Sequence, residues 1–187
     1  QRLGAVLLRS VFNSLAMVLY FGALGFLPIA QALAGLFTAP LFVVLFSVAI
    51  FGEGIGPRRI VAVAVGFAGV VLALGLDAEG LSWSTLVPII AGACYGMGNL
   101  LTRRICAEES TFTLLGWFFA MMTFWGALGC TVLALFPQET AAGAAGWVTR
   151  GWVVPQGWFL IMIVVQAVGS LIGVGLTIRA YQVAPDS

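Results

Sequence analysis

The sequence predicts an all-α protein, a polytopic membrane helix bundle with six transmembrane helices. Three observations predict it. The chain has 187 residues, 61% hydrophobic and 8% charged, with a mean hydropathy of +1.11, whereas soluble domains carry about 25% charged residues. Six apolar runs, at residues 10–26, 29–51, 60–76, 83–102, 112–136 and 158–178, hold no internal charge. The second is long enough to cross a hydrocarbon core of ~30 Å as a helix at ~1.5 Å per residue. Finally, the arginines sort to one side when every run crosses. Strands of a membrane barrel would be shorter and would alternate with period two.

The elements follow in order. Arg2 and Arg9 precede the first run, which ends at the turn ALGFLPIA. The second, with the segment 28–59 around it, is expected to organise the others. It carries Gln31 and Thr38 seven residues apart, two helical turns, so both lie on one face. Pro40 removes a backbone hydrogen bond inside that run and is expected to bend or open the helix. Glu53, Gly54, Gly56, Pro57, Arg58 and Arg59 form its foot. The third run has essentially no polar side chain and is expected outside the bundle's polar path. Arg103 and Arg104 join the fourth to the fifth, and Arg179 closes the sixth. The opposite side carries Asp77, Glu79, Glu139 and Arg150 alone among arginines. This bias places the chain start and the loops at Arg58 and Arg103 in the cytoplasm. The long link 137–157, with Trp147 and Trp152, is expected at the membrane surface. Gly92 with Gly96, and Gly169 with Gly173, form small-residue pairs suited to close helix packing.

Composition also bounds chemistry. Net charge is +1 and all eight basic residues are arginine, which gives no basic patch for nucleic acid. With no histidine, the commonest proton shuttle and metal ligand is absent. Cys94, Cys106 and Cys130 form no CxxC pair and read as small apolar residues. No nucleophile–base pair, acid pair or metal cluster falls within a run, so neither an enzyme nor a cofactor or metal site is expected.

Offset by 157 residues, Ala23 and Pro28 align with Ala180 and Pro185, and each copy ends a long glycine-containing helix. The two helices are five spans apart and so cross in opposite directions, an inverted-topology repeat typical of secondary transporters. In the first copy the turn leads into the Gln31–Pro40 helix; in the second the chain stops at Ser187. Gln1 opens the chain with no signal-peptide pattern. A ten-helix protein is therefore expected, of which this chain carries the middle six.

The run YFGALGFLPIAQALAGLFTAPLFVVLFSVAIFGEGIGPRRIVAVAVGFAGVVLAL resembles the first EamA repeat of the drug/metabolite transporter superfamily. The LPIAQA turn, the TAPLFV helix, the FGE foot, the arginines after it and the GFAGVVLAL helix carry the resemblance. RAYQVAPDS resembles the same turn in the second repeat. The resemblance implies that residues 1–76 are the last three helices of the first repeat and 77–187 the first three of the second. It implies a transporter of the inner membrane, without a substrate. Glu53 and Arg59 match the family pattern, while Gly54 departs from the larger, often basic residue expected there.

Polar side chains inside a membrane are costly unless they meet a cavity or each other. Four runs carry one polar stripe each: Asn13 and Tyr20; Gln31 and Thr38; Tyr95 and Asn99; Gln166, Ser170 and Thr177. All of these but Thr177 are the candidate substrate-binding residues, with Asn99 and Gln166 foremost because amides are the most expensive to bury. The competing reading makes them interhelical hydrogen-bonding groups, and Trp117 and Trp125 read as packing or lipid-facing residues. The function expected is a secondary transporter moving a small metabolite or drug-like solute by alternating access. The alternative is a structural or assembly subunit. The expected partners are the solute, the lipid bilayer and optionally a second copy in a homodimer.

Overall fold

The computed structural model describes residues 2–54, 56–73, 83–139, 143 and 146–183. Among the described residues eight helices follow one another, α1 (Leu3–Ala23), α2 (Ile29–Leu36), α3 (Ala39–Phe51), α4 (Pro57–Ala73), α5 (Trp83–Arg104), α6 (Thr111–Leu135), α7 (Gly146–Thr149) and α8 (Trp158–Val183). Among the same residues five stretches are long and apolar enough to cross a membrane: α1, α2 with α3, α5, α6 and α8. The apolar part of α4, Ile60–Leu72, is shorter, and residues 74–76 of the expected third run lie outside the described residues. The link 137–157 contains the four-residue α7, with Trp152 exposed beyond it.

Two boundaries differ from the sequence expectation in a way that matters. Helix α1 begins at Leu3, so Arg9 stands inside it rather than ahead of it. A charge need not end a helix whose partners supply hydrogen bonds to it. The second run is two helices, α2 and α3, with the interruption at Phe37–Thr38, just before Pro40 rather than at it. Proline fits the first turn of α3, where its missing N–H has no intrahelical partner to lose, and it restricts the residues before it. The backbone tightens there: the Thr38 N–H reaches Gly35 O at 3.1 Å, three residues back. At the other end Gly52 caps α3 in the left-handed region, φ 66°, a conformation glycine adopts without a Cβ penalty.

The hub is α5, not the 28–59 segment. It packs against α1, α2, α3 and α8, while α6 bridges α1 and α8. As expected, α4 sits at the edge, touching α2 and α3. Small residues let α5 take this place. A Cβ on Gly96 would stand 2.7 Å from Ala39 O and 3.0 Å from Phe42 Cβ, and one on Gly92 would collide with Thr38 Oγ1 and Gly35 O. The α2–α3 turn therefore lies directly against the Gly92–Gly96 surface. The Gly169–Gly173 pair packs against nothing within 4 Å, contrary to expectation, because α8 meets the bundle only through its C-terminal half.

The arginine-bearing ends gather at one end of the bundle. Glu53 after α3 pairs with Arg104 and lies 3.7 Å from Arg103 Nη2, so its cationic partners come from the end of α5 despite Gly54. The Arg104 guanidinium stands 5.8 Å from the Phe51 ring centroid. The Arg2 backbone N–H donates to Glu109 at 2.8 Å. Gln182 of α8 donates to Glu109 O at 2.7 Å and Cys106 O at 3.3 Å, and accepts from Thr111 Oγ1 at 3.0 Å. That glutamine ties the end of α8 to the α5–α6 link.

Candidate functional site

Helix α1 buries Val6, Arg9, Ser10, Asn13, Ser14 and Ala16, a stripe at helical spacing that is mostly polar. Such a face needs polar company, and α5, α6 and α8 provide it. Arg9 Nε donates to Thr102 Oγ1 of α5 at 2.9 Å, and Arg9 Nη1 donates to Leu114 O of α6 at 2.9 Å. One guanidinium thus ties three helices. Asn13 occupies space that a Cβ on Gly98 would fill, so glycine at 98 is what admits the amide.

These groups enclose a cavity of about 50 Å³ lined by Arg9, Asn13, Met17, Tyr95, Asn99, Phe118, Val174, Thr177 and Ile178. Asn13 and Asn99 are 2% and 3% exposed, yet Asn13 Oδ1 and Asn99 Nδ2 have no hydrogen-bond partner. A buried polar atom left unpaired costs about 1–3 kcal/mol, so two of them on residues that line one cavity mark a place for a polar guest. The volume admits a few waters or one small group. A larger cavity of about 390 Å³ between α3, α4 and α5 is walled by Leu41, Phe42, Leu45, Val63, Phe67 and Leu86 with little polar surface. Size alone does not make a solute site; converging polar groups do.

The cavity joins Asn13, Tyr95, Asn99 and Thr177, four members of the sequence-derived stripes. Other members lie elsewhere. Tyr20 is half-buried near the far end of α1, its ring 5.2 Å from that of Phe21. Gln31 is half-buried in α2. Thr38 is buried at the α2–α3 turn and donates to Gly35 O at 2.6 Å. Gln31 belongs to α2 and Thr38 to the turn before α3, and neither lines the cavity. Gln166 is exposed and donates to the half-buried Ser170 on the same helix at 3.1 Å. The expected second run contributes nothing to the cavity, whereas α6 contributes Phe118. Arg9 is the residue that sequence reasoning missed. Its spacing of four from Asn13, with Leu3 to Leu8 apolar on its other side except for Gly4, was the available signal.

The tryptophans behave as packing residues. Trp125 Nε1 donates to Ser14 Oγ at 3.1 Å, and Trp117 packs on the cluster of Val6, Cys106, Leu114, Leu115 and Ile178. All three cysteines are free. Burial raises the pKa of the Cys106 thiol in the α5–α6 link, consistent with an apolar filler. Among the described residues no group of His, Cys, Asp and Glu could hold a metal.

Residues 1–75 match the EamA-like transporter family. The chain is 31% identical to a riboflavin transporter of Rhizobium johnstonii over 63% of this chain and 39% of that protein. It is 25% identical to an S-adenosylmethionine uptake transporter of Rickettsia felis over 89% of this chain and 51% of that one. It is 26% identical to a pseudopaline exporter of Pseudomonas aeruginosa over 66% and 44% respectively. No solved structure matches. The chain spans between 38% and 51% of the length of these and similar relatives. The family match covers α1 to α4, and the named transporters match between 58% and 89% of the chain, so the chain is similar to the EamA-like transporters.

Proposed function

We propose that the chain is part of a secondary transporter that carries a small solute across the cytoplasmic membrane, with the Arg9–Asn13–Asn99 cavity as its solute site. The observation that carries this reading is the pair of buried, unpartnered amide atoms on Asn13 and Asn99, which line one cavity at the junction of α1, α5, α6 and α8. A cavity of about 50 Å³ is too small for a whole metabolite, so the site belongs to a closed arrangement. Opening would come from α8 and α6 moving against α1 and α5, in an alternating-access cycle. The arginine end would face the cytoplasm. Glu53 with Arg104, and Gln182 with the α5–α6 link, would then close the cytoplasmic side.

The test is solute uptake by the complete protein in liposomes, against a panel that includes riboflavin and S-adenosylmethionine because relatives are named for them. Saturable uptake of a panel member is expected, with Asn99→Leu and Asn13→Leu each lowering it at unchanged melting temperature. Wild-type uptake in both variants would move the solute site away from this cavity.

A further inference from the structure

Resting on that reading of the cavity, we propose that the solute carries a carboxylate with a neighbouring hydroxyl or N–H group, held by Arg9 and Asn99 on the carboxylate and by Asn13 on the donor. Arg9 is 2% exposed, and its two hydrogen bonds both go to neutral oxygens, the Thr102 hydroxyl and the Leu114 carbonyl. A guanidinium presents five N–H donors in a planar fork, so most of its capacity is unused. The nearby acids are engaged or turned away. Glu53 pairs with Arg103 and Arg104, Glu109 accepts from Arg2, and Glu108 is exposed. Among the described residues no carboxylate answers the Arg9 charge.

A buried charge without a counter-charge is costly in a protein and more so within a bilayer. A planar anion with two oxygens is the natural complement of the guanidinium fork. Asn99 lines the same cavity beside Tyr181, and its amide adds a donor to the same end of the guest. Asn13 Oδ1 is an unused acceptor and calls for a donor on the solute instead. The small volume suits this recognition of one polar group, with the rest of the solute lying beyond the cavity.

The probes are glycolate, acetate and their neutral amides, glycolamide and acetamide, read by thermal shift of the complete protein against sodium chloride at equal ionic strength. Glycolate is expected to raise the melting temperature more than acetate does, while the amides and chloride leave it in place. Arg9→Gln should weaken glycolate roughly 30-fold or more, the effect of removing one partner of a desolvated charge pair. Because Arg9 also ties three helices, Asn99→Asp serves as the second variant. It places an acid beside Arg9, keeps the fold, and should abolish the glycolate shift. Asn13→Ala should erase the advantage of glycolate over acetate. Equal shifts from glycolate and glycolamide, no glycolate shift at all, or a shift surviving Asn99→Asp would each overturn the proposal. Saturable uptake of an uncharged solute without glycolate binding would overturn the anion preference alone. Glycolate binding lost in Asn99→Asp, with no solute transported, would overturn the transport reading alone.

Discussion

Helices α5 and α8 carry the same pattern of glycines. In α5 it reads GACYGMG from Gly92 to Gly98, and in α8 GSLIGVG from Gly169 to Gly175. In α5 all three glycines are filled by neighbours: the α2–α3 turn covers Gly92, α3 covers Gly96 and Asn13 covers Gly98. In α8 only Gly175 has a neighbour, Leu115 at 3.5 Å. A small-residue pattern permits close approach; whether approach happens depends on which helix is there to use it. The same difference decides the fate of the amides. Asn99 of α5 is sealed in a cavity, while Gln166 of α8 lies exposed and bonds to its own helix.

The largest test of this contrast is Gly92→Leu against Gly169→Leu. At 92 the new side chain meets backbone and the Thr38 hydroxyl, so overpacking should cost about 3 kcal/mol. At 169 the change should stay within about 0.5 kcal/mol. Melting temperatures of the two variants in the same detergent decide it, and equal effects would show that the α2–α3 turn does not lie against α5 as described. Next comes Gln182→Leu, which removes the tie between α8 and the α5–α6 link. Leaving Glu109 O without its side-chain donor, while Cys106 O keeps the Glu109 N–H at 3.1 Å, should lower stability by about 1–2 kcal/mol and speed amide exchange at the end of α8. Unchanged exchange there would mean that apolar contacts at Val174 and Ile178 hold the helix instead. A smaller effect is expected of Glu53→Gln, which weakens a partly exposed ion pair. The loss should be at most about 1 kcal/mol and should shrink with added salt; a loss independent of salt would assign Glu53 a packing role. Smallest is Ser170→Ala, which removes a bond on the open face of α8 and should change stability by no more than about 0.5 kcal/mol. A drop above 1 kcal/mol would place that face in a contact.

Much of the membrane architecture was legible because hydrocarbon imposes it on composition. Six charge-poor runs, arginines gathered at one end and an apolar, peripheral α4 all follow from the price of placing charge in lipid. The lining of the candidate cavity was legible in part. Asn13, Tyr95 and Asn99 were found because buried amides and phenols need partners, and the structure brings them to one cavity. Arg9 was missed because a charge near a run's edge reads as a flank, and only its bonds to Thr102 and Leu114 reveal it as an interior group. The tightened turn at Phe37–Thr38 was not legible, because periodicity assumes an unbroken helix.

By itself the sequence determined the helical class, the positions of the spans to within a turn or two, and the common end of the arginines, since each depends on local hydrophobicity and charge. Tertiary structure decided that α5 is the hub, that Gly92 and Gly96 are filled while Gly169 and Gly173 are open, and that Arg9, Asn13 and Asn99 share a cavity. These depend on which surfaces meet, and meeting is set by the shapes of two helices at once, which no single segment encodes.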